Sequence, residues 1–164
     1  MEAHQKQITV YSNHTESAPV IYLPVVVGDG SEVYKCCREL DCPPFALVTI
    51  GGLDWNRELS PWACDGTVRD AEPFGGQAAD FLDELLNQII PQVESSLPQP
   101  PTWRGIAGYS LAGLFALWSL WQTDAFDRAA SASGSTVPAR PLLPAARKPS
   151  TCHSAKRKPR RPTA

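Results

Sequence analysis

The feature that most restricts this chain is a pair of apolar runs that lack polar alternation. Residues 19–27 (Pro-Val-Ile-Tyr-Leu-Pro-Val-Val-Val) stop at Gly28-Asp29-Gly30, and residues 45–50 (Phe-Ala-Leu-Val-Thr-Ile) stop at Gly51-Gly52. A strand with one wet face alternates, whereas an unbroken run suits a strand covered on both faces. Between the two runs, residues 32–40 read as a short helix with Ser31 as N-cap. From Gln77 the period changes: Phe81, Leu82, Leu85, Leu86, Ile89 and Ile90 fall on one helical stripe, with Asp80, Asp83, Glu84 and Asn87 opposite. Residues 103–109 begin another strand. Residues 111–122 are apolar nearly all round and should form a buried helix, and residues 127–133 read as a further strand. Strands alternating with helices define an α/β domain with a mainly parallel sheet and helices on both faces.

Composition divides the chain. Its 164 residues suit one domain, and 43% hydrophobic content supports a real core. The formal charge of -2 is a sum of unlike parts: residues 1–133 carry a net -10, and residues 134–164 a net +8. Residues 136–164 hold six prolines, eight basic residues, no acidic residue and no aromatic, the composition of a disordered tail. We therefore expect an α/β domain over 1–135 and a basic, Pro-rich tail over 136–164. With no apolar run of 18 residues, a membrane span is not expected, and the N-terminal residues lack the pattern of a secretory signal, which makes the cytoplasm the expected compartment. Five cysteines, an odd number without paired Cys-x-x-Cys knuckles or a nearby histidine, read as reduced structural thiols, not as a zinc site or disulfide framework.

The segment that carries chemistry is Gly105-Ile-Ala-Gly-Tyr-Ser-Leu-Ala-Gly113. A serine with small residues two before and two after it, between a strand and a helix, fits the nucleophile elbow. The demand is steric, since a turn this tight presses both flanking positions against backbone. The turn lifts the Ser110 hydroxyl out of the sheet and sets the next N–H at a helix N-terminus, where it can hold an oxyanion.

Gly-Tyr-Ser-Leu-Ala-Gly-Leu-Phe-Ala-Leu, with Phe126-Asp-Arg-Ala-Ala-Ser-Ala-Ser-Gly-Ser135 after it, resembles the putative-esterase group of α/β-hydrolases, which includes siderophore (enterochelin-type) esterases. Leu53-Asp-Trp-Asn-Arg-Glu-Leu-Ser-Pro-Trp62 and Gly75-Gly-Gln-Ala-Ala-Asp-Phe-Leu add to the likeness, which covers residues 7–135. The resemblance implies a partial α/β-hydrolase fold lacking its last strands, and a serine hydrolase that cleaves carboxylic esters through an acyl-enzyme. Ser110 would be the nucleophile. Leu111 N–H and an N–H after Gly51-Gly52, Leu53 first and Gly52 second, would form the oxyanion hole. Trp55 and Trp62, in a 53–76 loop too long for a passive connector, would wall the pocket or else pack the loop on the sheet. The substrate would be a small-molecule ester, either a siderophore trilactone or a simple acyl ester or thioester, and no cofactor is implied.

A serine needs a general base and an acid that orients it, and in this fold both follow the nucleophile. Asp127 is the last acidic residue and heads a strand, which suits a surface role. His4 and His14 precede Ser110, and His153 lies in the tail. We accordingly read 1–135 as an incomplete, apparently truncated hydrolase domain, with family sequence ending near Ser135 and weak activity. The competing reading is a non-catalytic interaction protein whose Lys156-Arg-Lys-Pro-Arg-Arg161 cluster binds nucleic acid or an anionic surface. An acidic body and the lack of stacking aromatics in the tail weigh against it. Nothing in the sequence selects an oligomeric state.

Overall fold

A computed structural model of the chain describes residues 5–66 and 71–134. His4, Cys152, His153 and the basic segment 136–164 lie outside the described residues.

Strands β1 (Gln7–Tyr11), β2 (Val20–Pro24), β3 (Ala46–Gly51), β6 (Arg104–Tyr109) and β7 (Arg128–Ala132) form one sheet in the order β1-β3-β2-β6-β7. All neighbours are parallel except β1, which runs antiparallel to β3. Helix α1 (Ser31–Glu39) follows β2, and α5 (Leu111–Gln122) connects β6 to β7. A short helix α2 (Trp55–Glu58) and a two-stranded ribbon of β4 (Ala63–Cys64) and β5 (Phe74–Gly75) order much of the long loop.

The register assigns the two faces. Val20, Tyr22, Ala46, Val48 and Ile106 share one face, which packs against the long helix after β5 and against α5 through Phe81, Leu85 and Phe115. The Phe81 and Phe115 rings lie 5.1 Å apart. On the other face α1 stands across a cavity from Ile21, Leu23 and Leu47, so helices do lie on both faces. Every residue of β3 is buried, as expected of a strand without alternation.

Three details depart from the sequence reading. Residues 7–11, which carry no strong strand signal in the sequence, form the antiparallel edge strand. The amphipathic helix is α3 (Ala78–Glu84) and α4 (Ile90–Ser96) joined by a π-helical turn, Leu85–Ile89. Pro91 explains the turn, since it has no N–H for the carbonyl one turn earlier and its ring would crowd that carbonyl. Gly30, not Ser31, occupies the N-cap of α1, in a left-handed conformation (φ 81°), and Asp29 accepts the Ser31 N–H at 3.0 Å. Gly30 is required there because a Cβ would overlap the Thr49 side chain.

Helix α5 matches its expected span, but its burial is one-sided. Residues 111–116 and Ser119 are buried, while Leu117, Leu120 and Trp121 are exposed. Among the described residues, no helix is long and apolar enough to cross a membrane.

Candidate active site

Ser110 stands at the carboxyl end of β6, immediately before α5. Its backbone has φ 54° and ψ -121°, a conformation a residue with a Cβ adopts only under constraint. The constraint is visible in its bonds. The Ser110 N–H donates to the Ala132 carbonyl at 3.0 Å, while the Ser110 carbonyl accepts from the N–H groups of Gly113 (3.0 Å) and Leu114 (3.2 Å). One side ties the turn to β7, and the other starts the helix.

Packing enforces the same turn. A Cβ on Gly108 would come well under 3.0 Å from the Ala112 carbonyl, closer than real side chains approach. These are the positions two before and two after Ser110, where the sequence reading requires small residues. One turn on, a Cβ on Gly113 would lie 2.5 Å from Ser131 Oγ. Ser110 itself is half-buried and Tyr109 is exposed. The Leu111 N–H is the first of α5, where a helix supplies no acceptor of its own, and the helix dipole adds positive potential.

Sheet order decides which loops neighbour this turn. β6 lies between β2 and β7, so the segment after β2, residues 25–30, emerges beside Ser110. Leu53 and Gly52 follow β3, which β2 separates from β6 by two strand spacings, about 10 Å. Gly52 is left-handed (φ 71°) and a Cβ there would lie 2.6 Å from the Gln5 carbonyl. The segment after β2 is well held: Val25 N–H donates to Ile50 O at 2.9 Å, and Thr49 Oγ1 donates to Asp29 O at 2.6 Å. Hydrogen bonds from Ser31 and Tyr11 hold the Asp29 carboxyl down at about 2. In the sequence Gly28-Asp29-Gly30 is legible as a turn, and its place after a fully apolar strand is the signal that sets it at the carboxyl edge of the sheet, like the elbow.

Leu53, Trp55 and Trp62 are all half-buried against the core cluster, so packing accounts for their burial. Trp62 Nε1 is buried without a hydrogen-bond partner. Asp127 is exposed at the far end of β6, where its carboxylate accepts the Arg104 N–H at 3.0 Å. His14 is also distant: its cavity includes Thr102 and Trp103, which precede β6, whereas Ser110 follows it, a strand length of roughly 20 Å away. Its Nδ1 lies 2.8 Å from the Glu16 carbonyl. Among the described residues, therefore, neither His14 nor Asp127 is brought to Ser110, and no group of three His, Cys, Asp or Glu side chains could hold a metal ion.

A mainly parallel sheet in which an inner strand ends in a strained serine before a helix is an α/β-hydrolase-like arrangement, and the chain belongs to the family described as Putative esterase, which matches residues 25–162. That match continues across the compositional boundary at residue 135, where the sequence led us to expect the likeness to end. Among curated relatives, Uncharacterized protein YbbA of Bacillus subtilis (strain 168) is 31% identical over 136 residues, covering 76% of this chain and 53% of the relative. Siderophore hydrolase EstA from Aspergillus nidulans shares the fold at a TM-score of 0.58 and 22% identity, over 76% of this chain and 51% of its own. An IroE-like serine hydrolase from Shewanella oneidensis does so at 0.60 and 21%, over 76% and 44%. BES protein from Bacillus cereus reaches 0.62 at 20%, over 79% and 57%. The chain spans about half the length of the relatives it matches.

Proposed function

We propose that this chain carries the nucleophile and oxyanion-binding part of a serine hydrolase acting on carboxylic esters of small molecules. The observation that carries the reading is Ser110 at φ 54°, held between a parallel strand and the first turn of a buried helix. In this reading Ser110 Oγ attacks the ester carbonyl carbon, charge gathers on the carbonyl oxygen, and the Leu111 N–H donates to it. For the second donor the sequence reading names Leu53; sheet order favours an N–H of residues 25–28 instead, because that segment adjoins β6. Trp55 and Trp62 remain candidate pocket walls. Family membership supports ester hydrolysis, and the siderophore hydrolases among the fold relatives make a siderophore ester one candidate substrate.

Proton transfer needs a base and its acid partner, and in the sequence no Asp or Glu follows Asp127 and His153 is the sole histidine after Ser110. On that sequence ground we infer that the chain turns over esters weakly, since loss of the base costs on the order of 10⁶ in turnover. The test is a short-chain nitrophenyl ester assay beside fluorophosphonate labelling. Slow labelling confined to Ser110 and lost in Ser110→Ala is the expected result. Labelling that persists in Ser110→Ala would overturn the assignment of the nucleophile, and fast turnover abolished by that substitution would show a complete triad.

A further inference from the structure

Helix α1 ends in a motif that brings two of the chain's cysteines together. Leu40 caps the helix and Asp41 follows in the left-handed conformation (φ 52°), with Asp41 N–H donating to Arg38 O at 3.2 Å and Cys42 N–H donating to Cys37 O at 3.1 Å. These are the two bonds of a Schellman C-cap, which sets the side chain of the last turn beside that of the residue after the left-handed one. In most helices the pair is apolar. Here it is Cys37 and Cys42, close enough that, after burial, the Cys42 thiol pushes the Cys37 thiol up.

The surroundings suit a reactive pair. Cys42 is exposed and Cys37 half-buried, and both are free thiols. Both also line an apolar cavity of about 390 Å³ on the α1 face of the sheet, with Ile21, Leu23, Val33 and Leu47. Cys36, one position along the helix, does not line that cavity. The 3.1 Å backbone bond from Cys42 N–H to Cys37 O draws the two residues together, toward the Cα separation of about 4.4–6.8 Å that a disulfide spans.

We propose that Cys37 and Cys42 form a dithiol site that small-molecule disulfides of the glutathione class convert into an intrachain disulfide. The exposed Cys42 thiolate attacks one sulfur of the reagent; the reagent's S–S bond breaks, a Cys42 mixed disulfide forms and one thiolate leaves. Cys37 then attacks the Cys42 sulfur and displaces the second thiolate. Two protein thiols are oxidised, one reagent disulfide is reduced to two thiols, and the two protons pass to the leaving thiolates. The order follows from environment: burial, and then the neighbouring Cys42 and Cys36, push the Cys37 thiol up, which leaves Cys42 as the point of entry. Closure would pin the left-handed Asp41 and fix one wall of the cavity. The inference does not rest on the esterase reading.

The test is equilibration of the full chain with reduced and oxidised glutathione, acid quench, alkylation and tryptic mass mapping. Cleavage after Arg38 separates Cys37 from Cys42, so a bridge appears as two joined peptides short of two hydrogens. The expected product is that bridge, kept in Cys36→Ser and replaced in Cys37→Ser by a stable glutathione adduct on Cys42. Its equilibrium constant should fall about tenfold or more when the chain is denatured, because only the cap holds the pair together. Adducts spread over Cys36 and Cys42 without a bridge, or a bridge that survives Cys37→Ser, would overturn the proposal.

Discussion

The two ends of β6 are built on opposite principles. At its head, polar groups hold the strand. Arg104 donates to Glu94 through Nε (2.5 Å) and Nη2 (2.7 Å), the buried Tyr22 hydroxyl donates to the same carboxylate at 3.2 Å, and Asp127 exchanges two hydrogen bonds with the Arg104 backbone. The Arg128 guanidinium also lies 4.3 Å over the Trp103 ring. At the tail the turn is held by close contacts at Gly108 and Gly113 and contains a left-handed serine. One end stabilises the sheet, and the other stores strain where an attacking group would stand.

The contrast can be broken from either side. Gly108→Val should have the largest effect, about 3 kcal/mol of destabilisation in chemical denaturation, because its side chain meets the Ala112 backbone and cannot move aside. At the other end, Glu94→Ala should cost about 2 kcal/mol, reduced from the value for a fully buried pair because the Arg104 side chain is 36% exposed. Fluorophosphonate labelling of Ser110, per folded molecule, should be unchanged by that substitution; a fall in labelling would mean that the two ends are coupled.

A finer test separates strain from chemistry. Ser110→Gly and Ser110→Ala both lack the hydroxyl and differ in the Cβ, so the glycine variant should be the more stable by about 1 kcal/mol if the left-handed backbone is costly. Equal stability would remove strain from the account. The smallest effect concerns Asp29, beside the elbow. Its carboxyl is held at about 2, below the ordinary value, so its contribution is present above about pH 4 and lost as the pH falls through about 2. An NMR titration of the Asp29 carboxyl should show that midpoint, and Asp29→Asn should remove this component of acid sensitivity.

Much of the fold was legible because single residues encode it locally. The unbroken runs of β2 and β3, the glycines that end them, and the small residues around Ser110 each answer to a nearby steric or solvent demand, and the span of α5 follows from them. What was not legible depends on partners distant in sequence. β1 is a short half-exposed edge whose pairing with β3 is set by register, and the π-helical turn reflects the conflict of Pro91 with a stripe that reads as uninterrupted helix. The family resemblance offered Leu53 as an oxyanion donor, and the order of strands that lays β2 beside β6 is set by pairing between segments distant in sequence. The cysteines read individually as structural thiols; only the left-handed Asp41 joins two of them.

The bond from the Ser110 N–H to the Ala132 carbonyl also bears on the order in which the molecule is made. A ribosome that has released the chain through α5 has emitted every residue of the Gly-x-Ser-x-Ala turn but not the strand that pins it. Until Arg128–Ala132 emerges and pairs with β6, the serine lacks that anchor, and Gly113 lacks the Ser131 side chain that closes over it. The candidate nucleophile is therefore among the last parts of the described fold to take shape during synthesis, and β7 acts as its timer.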